Sequence, residues 1–295
     1  MDMQKEIRDR AGRIEELLEG FLPKEEGLQK NIFSAMNYSL RAGGKRLRPM
    51  LMAETHGLFG GKSKALPYFM AAIEMIHTYS LVHDDLPAMD GDEYRRGKKS
   101  TWAQYGEALG VLAGDALLNY AFETAAAAFE TEEDPGLIGK ALQVLAKKAG
   151  AYGMIGGQTV DVEMEGQMMP LETLRFIHRL KTCALIEASM MIGAILAGAG
   201  EKEMALAEQS AYELGMAFQI QDDILDVVGS QEVLGKPIGS DEKNGKQTYV
   251  SLLGLEASRQ EAEEHSEKAV ALLQESGYEN EFLMQLMLHL MNRER

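Results

Sequence analysis

Leu28, Ile32, Phe33, Met36 and Leu40 recur at intervals of four, one, three and four residues, an apolar stripe with a period of about 3.6 that a helix keeps on one side. Ile7, Ile14, Leu17 and Leu18 draw the same stripe nearer the start. No run of alternating β-branched residues competes with it. Between the seven prolines the chain is rich in Ala, Leu, Met, Glu and Gln, all good helix formers. The pattern predicts an all-α fold. Breaks fall at Gly60-Gly61 with Lys62 and Ser63, at 131–136, at 198–202 and along a longer polar stretch, 229–245. None has the length or composition of an interdomain linker, and no solenoid period is present, so a single domain over 1–295 is expected. The 19 methionines fit as core filler in a packed bundle.

Charge narrows the partners. Against 46 Asp plus Glu stand 30 Lys plus Arg, a net charge of −16, where nucleic acid or an anionic membrane would require a basic face. The N-terminus MDMQKEIRDR lacks the apolar core of a secretory signal, and the longest apolar stretch, 190–199, is half the roughly 20 residues of a membrane span. Cys183 is the single cysteine, so no intrachain disulfide can form, as suits a reducing compartment such as the cytoplasm.

Two apolar segments nevertheless end in acid. Residues 73–97 read IEMIHTYSLVHDDLPAMDGDEYRRG, with Asp84, Asp85, Asp90 and Asp92; residues 218–226 read FQIQDDILD, with Asp222, Asp223 and Asp226. On a helix Asp222 and Asp226 lie about 40° apart with Asp223 near the same arc, so three carboxylates share one face. Such crowding raises their pKa values unless a cation compensates, and oxygen donors without His or Cys point to Mg²⁺. Asp84 and Asp90 would lie about 240° apart on an unbroken helix. Pro87 stands between them and cannot continue one, so the chain is expected to bend and bring Asp90 back toward Asp84. Each cluster alone also reads as a solvated acidic helix end, but two on apolar helices, where burying charge is costly, argue for a joint purpose.

Cations sit where an anion site would need them. Lys45, Arg46 and Arg48 follow the Gly43-Gly44 pair, whose backbone N–H groups can approach a phosphate; Arg95-Arg96 follow the first acidic cluster, and Lys236 and Lys246 follow the second. Singly these are ordinary surface charges. Together with the carboxylates they describe a dianion held by metal on one side and by Arg or Lys on the other.

GGKRLRP, HDDLPAMDGDEYRRG, GQTVD at 157–161, Lys181-Thr182 and FQIQDDILD followed by LGKPIGSDEKNGKQTY resemble the trans-isoprenyl diphosphate synthases in order, spacing and identity, over about residues 28–255. Four residues between Asp85 and Asp90 make the first motif similar to that of the short-chain bacterial farnesyl type. The resemblance implies ten or more helices around a central cavity, a homodimer, and two Asp motifs facing each other across the cavity mouth. It implies Mg²⁺, three ions with substrate bound, on Asp84, Asp90 and Asp222, with Asp85, Asp223 and Asp226 in support. Gly44, Lys45, Arg48, His77 and Arg96 match the positions that hold isopentenyl diphosphate. Arg95, Lys181, Thr182, Gln219, Lys236 and Lys246 match those around the allylic diphosphate. Gly91 departs from the pattern, standing where many relatives carry another acid, and so does Val250, where Pro is frequent.

Helix spacing independently sets His77 about 20° off the stripe of Asp84, and Gln219 three residues before Asp222; without the resemblance His77 would read as a satisfied core histidine. Cys183, His56, His178 and His289 receive no functional assignment. By resemblance, an aromatic Tyr79 with a small Ser80 beneath Asp84 implies a C15 product, farnesyl diphosphate, with a C20 synthase as the alternative. Tyr79 is also what a packed core aromatic would look like. A terpene cyclase would carry a mixed Asn/Ser/Glu second motif and would not need GGKRLRP, and a non-catalytic subunit should have lost acidic ligands that are intact here.

Overall fold

The computed structural model describes residues 2–131, 134–228 and 247–291. Its contacts divide it into two compact units, Met1–Ala53 with Lys62–Leu142 and Glu54–Gly61 with Gln143–Arg295. The described residues are overwhelmingly helical, as the periodicity predicts.

In the first unit α1 (Met3–Glu19) opens on Asp2, whose side chain accepts the Lys5 N–H at 3.1 Å. It buries Ile14 and Leu18. Helix α2 (Lys30–Leu40) buries Met36 and Leu40. Leu28, expected on the same stripe, precedes the helix and is fully exposed. Helix α3 (Leu47–Leu58), of which 47–53 belong to this unit, carries Pro49 in its first turn, where no intrahelical N–H is required. Helix α4 (Leu66–Asp84) is apolar all round, as a central helix must be: Phe69, Ile73, Met75 and Ile76 have no accessible surface. It packs on α6 (Glu107–Ala127), which follows the short α5 (Thr101–Tyr105). Gly110 and Gly114 let α6 come close: a side chain at Gly110 would meet Trp102 and Leu86, and one at Gly114 the His83 ring. The α7 helix (Pro135–Ala149) spans the boundary between the units.

Between α4 and α5 lies a short hairpin of β1 (Tyr94–Arg95) and β2 (Lys98–Lys99), paired Tyr94 to Lys99 and Arg95 to Lys98, within the otherwise all-α described residues. Its two-residue turn has Arg96 at φ 52° and Gly97 at φ 76°, both in the left-handed region such tight hairpins require.

In the second unit α8 (Met154–Glu163) and α9 (Leu171–Ile177) precede a π-helical stretch, His178–Cys183, which runs into α10 (Ala184–Leu196). The long α11 (Glu201–Val228) packs on α10 and on α13 (Leu255–Glu275), with α12 (Tyr249–Leu253) and α14 (Glu281–Met291) completing the unit. Thr248 and Ser251 form a reciprocal cap at the start of α12. Cys183 is fully buried, and burial pushes its thiol well above the usual range, so its structural reading stands. A side chain at Gly215 would strike the Cys183 sulfur at 2.6 Å, which is why α11 needs a glycine there. No helix among the described residues is long and apolar enough to cross a membrane.

Candidate active site

The first acidic cluster folds as Pro87 demands. Helix α4 ends at Asp84, and the Asp90 N–H donates to the Asp84 carbonyl at 2.9 Å, while Met89 and Gly91 donate to Leu86. The bend thus returns Asp90 to the end of the helix. Gly91 has φ 69°, which favours glycine over the acid many relatives place there. The aspartates are not equivalent. Asp84 is half-buried and Asp90 exposed, both accessible from solvent, whereas Asp85 is 2 % exposed and accepts Arg95 at 2.5 and 2.7 Å. Burial raises the Asp85 carboxyl and Arg95 opposes that shift; for Arg95 the ion pair outweighs burial and holds the guanidinium charged.

Four arginines gather about His77, two helical turns before Asp84 on α4. Burial first, then Arg48, Arg96, Arg46 and Arg95, depress the His77 imidazole well below its usual range and keep it neutral. Arg48 is likewise depressed by burial and by Arg96, with Glu74 acting in the opposite sense; Arg96 is depressed by burial, Arg46 and Arg95, with Glu74 and Asp85 opposing. Hairpin and loop meet here: an Arg96 Nη1 N–H donates to the Gly43 carbonyl, and a side chain at Gly44 would fall 2.6 to 3.0 Å from the Arg96 guanidinium. Gly44, at φ 137°, therefore supplies both a backbone shape and room for that cation. The hairpin is fixed from behind by Tyr38 donating to the Lys99 carbonyl at 2.7 Å and Lys98 to that of Arg41 at 3.2 Å. Lys45 is exposed.

Arg46 corrects the expectation of three cations side by side. It is 4 % exposed, donates to Glu74 Oε1 at 2.7 Å and to the Leu40 carbonyl at 2.6 Å, and has Glu15 at 3.5 Å. With φ at 50°, it sits in the core between Lys45 and Arg48 in the chain, held there by Glu74 and the Leu40 carbonyl.

Tyr79 is 5 % exposed and stands edge-on to His83 at 5.8 Å. Its hydroxyl is buried without a hydrogen-bond partner, and burial followed by the charge of Asp84 pushes it up to about 12. Ser80 Oγ donates to the His77 carbonyl at 2.9 Å, turned onto its own helix.

In the second unit the motif FQIQDDILD lies within the continuous helix α11, and its carboxylates have different surroundings. Asp222 is half-buried. Asp223 is 5 % exposed and turned toward α12, where it accepts the Tyr249 N–H at 2.9 Å; His178 lies 3.9 Å from the same oxygen and stacks on the Tyr249 ring. Asp226 is buried. The 100° between Asp222 and Asp223 on a helix separates their surroundings. Lys181 and Thr182 occupy the π-helical stretch, a form frequent at functional sites. Lys181 donates to Asp161, the last residue of GQTVD, at 2.6 Å, and Thr182 to Gln219 at 2.9 Å. A side chain at Gly157 would run into the backbone at Leu180 and Lys181, so the glycine of that motif admits the π-helix.

The profile of the polyprenyl synthetase family matches residues 29–286. The chain belongs to the polyprenyl synthetase family. It is 42 % identical to a farnesyl diphosphate synthase of Geobacillus stearothermophilus over 91 % of this chain and 90 % of that one. It is 46 % identical to a geranylgeranyl diphosphate synthase of Cyanophora paradoxa over 87 % and 85 %. Among solved structures, a geranyltransferase from Helicobacter pylori complexed with magnesium and isoprenyl diphosphate superposes with a TM-score of 0.84 at 30 % identity, covering 99 % of this chain and 97 % of that one. The chain is a prenyl diphosphate synthase, as its motifs led one to expect.

In this polyprenyl synthetase the sequence-predicted residues of the first unit come together: Gly44, Arg48, His77, Arg95 and Arg96 surround the stretch of α4 that ends at Asp84. In the second unit Lys181 pairs with Asp161 and Thr182 with Gln219. Lys236 and Lys246 lie outside the described residues. Sequence reasoning missed Glu74 and His178. Glu74 was legible as a lone acid in the apolar run of α4; His178 lies three residues before Lys181, but its pairing with Asp223 and Tyr249 depends on distant helices.

Proposed function

We propose that this enzyme condenses isopentenyl diphosphate with dimethylallyl and then geranyl diphosphate to give (E,E)-farnesyl diphosphate. The observation that carries the reading is the convergence of Arg48, Arg95 and Arg96 on the neutral His77 along a helix that ends in accessible carboxylates. Like charges in a partly buried setting repel unless an anion compensates, and a diphosphate is such an anion.

The donor set fits Mg²⁺. No group of three or more His, Cys, Asp or Glu side chains among the described residues could hold an ion by itself. Mg²⁺ takes one or two carboxylates and completes its shell with water and phosphate oxygens, so Asp84 and Asp90 in the first unit, and Asp222 in the second, each have the donor chemistry for Mg²⁺ that also binds substrate phosphate. When bound, Mg²⁺ would stabilise the charge of the departing diphosphate as a Lewis acid. Arg95 in the first unit has the chemistry to bind the allylic diphosphate, as have Lys181, Thr182 and Gln219 in the second, and such donors favour breakage of its C1–O bond. Lys45, Arg48 and Arg96 pin isopentenyl diphosphate so that its double bond attacks the allylic C1. The proton then lost passes to the released diphosphate, a base that the reaction itself supplies. A homodimer in the cytoplasm belongs to the same reading, which the family resemblance and the buried, reduced Cys183 support.

Purified protein given isopentenyl diphosphate, each allylic diphosphate in turn and Mg²⁺ should yield a C15 product by chromatography and mass spectrometry, and excess chelator should stop turnover while leaving the helical circular dichroism intact. Turnover that survives chelation overturns the metal assignment. A C20 product would instead favour geranylgeranyl diphosphate, the reading that the 46 % identity to the Cyanophora enzyme supports.

A further inference from the structure

Glu74 is the one acid in the apolar run from Leu66 to Thr78, and it is 2 % exposed. Burying a lone carboxylate is costly unless cations and hydrogen bonds compensate, so its presence there calls for a reason. One oxygen accepts Arg46 at 2.7 Å. The other, Oε2, is buried and has no hydrogen-bond partner. Three residues further along the same face of α4 stands His77, inside the ring of arginines. Across that face the hairpin holds Arg96 against Gly43 and Gly44, and Arg48 stands in the first turn of α3, its Nε buried without a partner.

We propose that Glu74 is the resident counter-anion of the isopentenyl diphosphate subsite, anchoring Arg46 in the core and compensating Arg48 and Arg96 while the substrate is absent. The proposal rests on the assignment of Lys45, Arg48, His77 and Arg96 to that subsite. Glu74 also acts on Arg48 and Arg96 in the sense of an opposite charge, raising both against their burial. Two non-glycine residues at positive φ, Arg46 and Arg96, flank it; such backbone persists where the surroundings fix it strongly. When the diphosphate arrives it takes over the compensation of Arg48 and Arg96, and Glu74 is left with Arg46 alone. The carboxylate therefore competes with the substrate, holding the empty subsite together at the expense of affinity.

That competition gives a signature a purely structural ion pair would not. Glu74→Gln keeps a hydrogen-bond acceptor for Arg46 and removes the charge; Arg46→Gln leaves the charge of Glu74 undivided. The dissociation constant of isopentenyl diphosphate alone, measured by calorimetry on the full chain, should fall several-fold in Glu74→Gln and rise several-fold in Arg46→Gln, with KM for geranyl diphosphate changed less than about two-fold in both, as expected of a charge acting at one subsite. In Glu74→Gln the melting temperature without ligand should drop, and saturating isopentenyl diphosphate should restore most of the loss. Should Glu74→Gln fail to fold, the double variant R46Q/E74Q, which removes both partners of the Arg46–Glu74 ion pair together, should bind several-fold more tightly than Arg46→Gln. Weaker binding in both single variants, or R46Q/E74Q no tighter than Arg46→Gln, overturns the counter-anion. Arg48→Ala separates this from the underlying assignment: if it leaves isopentenyl diphosphate binding unchanged, the subsite itself falls and the counter-anion with it.

Discussion

Asp84 and Asp85 are neighbours in the chain with different surroundings: one is accessible at the end of α4, the other is buried beneath Arg95. Replacing Asp84 by Ala should lower kcat by about 10²-fold or more with the fold intact, the scale of losing one preorganised electrostatic element, and Asp222→Ala should do the same. Near wild-type turnover in either variant, by steady-state assay, removes that residue from the metal site. The two diphosphates should also separate at single residues. Arg48→Ala should raise KM for isopentenyl diphosphate strongly and the allylic KM little, whereas Lys181→Ala, which also frees Asp161, should act on the allylic substrate or on kcat. Equal effects of both variants on both substrates would show that the residue roles have been transferred wrongly from the family.

Helix α4 carries three separate messages on its turns: Glu74 and His77 toward the arginines, Tyr79 beside His83, and Asp84 at its end. Tyr79→Phe should cost little, since the hydroxyl it removes has no partner. Tyr79→Ala should lengthen the product toward C20 if this ring limits chain growth; an unchanged C15 product from a folded, active variant leaves Tyr79 as core packing only. The π-helical stretch predicts a pH effect. His178 faces Asp223 on α11, stacks on Tyr249 of α12, and feels Asp161 of α8 and its own neighbour Lys181. Burial lowers it to about 3, so it stays neutral in the folded protein, while in the unfolded chain it takes up a proton below about 6.5. The unfolded state therefore binds more protons between those values, and the stability present above pH 6.5 is lost as pH falls toward 3, by up to about 1.4 kcal/mol per pH unit for one group. His77 is shifted in the same direction and adds to the slope. Denaturant melts between pH 7 and pH 5 should show this loss, and His178→Gln should flatten it; an unchanged slope would mean that His178 is not held neutral.

At the scale of the whole chain the net charge of −16 opposes compaction. Raising the ionic strength from about 20 mM to about 200 mM, which shortens the screening length to under about 10 Å, should therefore raise the melting temperature; a fall would mean that ion pairs such as Lys148 with Glu187 and Glu208 outweigh the general repulsion. The helices, their breaks and the bend at Pro87 were legible in the sequence because periodicity, proline chemistry and turn residues act over a few neighbours, where spacing in the chain is spacing in the molecule. The motif residues were legible for a different reason: their order and identity match a family. Environment was not legible. The chain writes Lys45, Arg46 and Arg48 as equals, and only the position of Glu74 on α4 turns Arg46 into the core. It writes Asp222 and Asp223 as a pair, and only the arrival of α12, more than twenty residues later, gives Asp223 a backbone N–H to accept. Burial and partnership across long separations set the charge state and orientation of an ionisable group, and those are properties of the packed chain that no local pattern encodes.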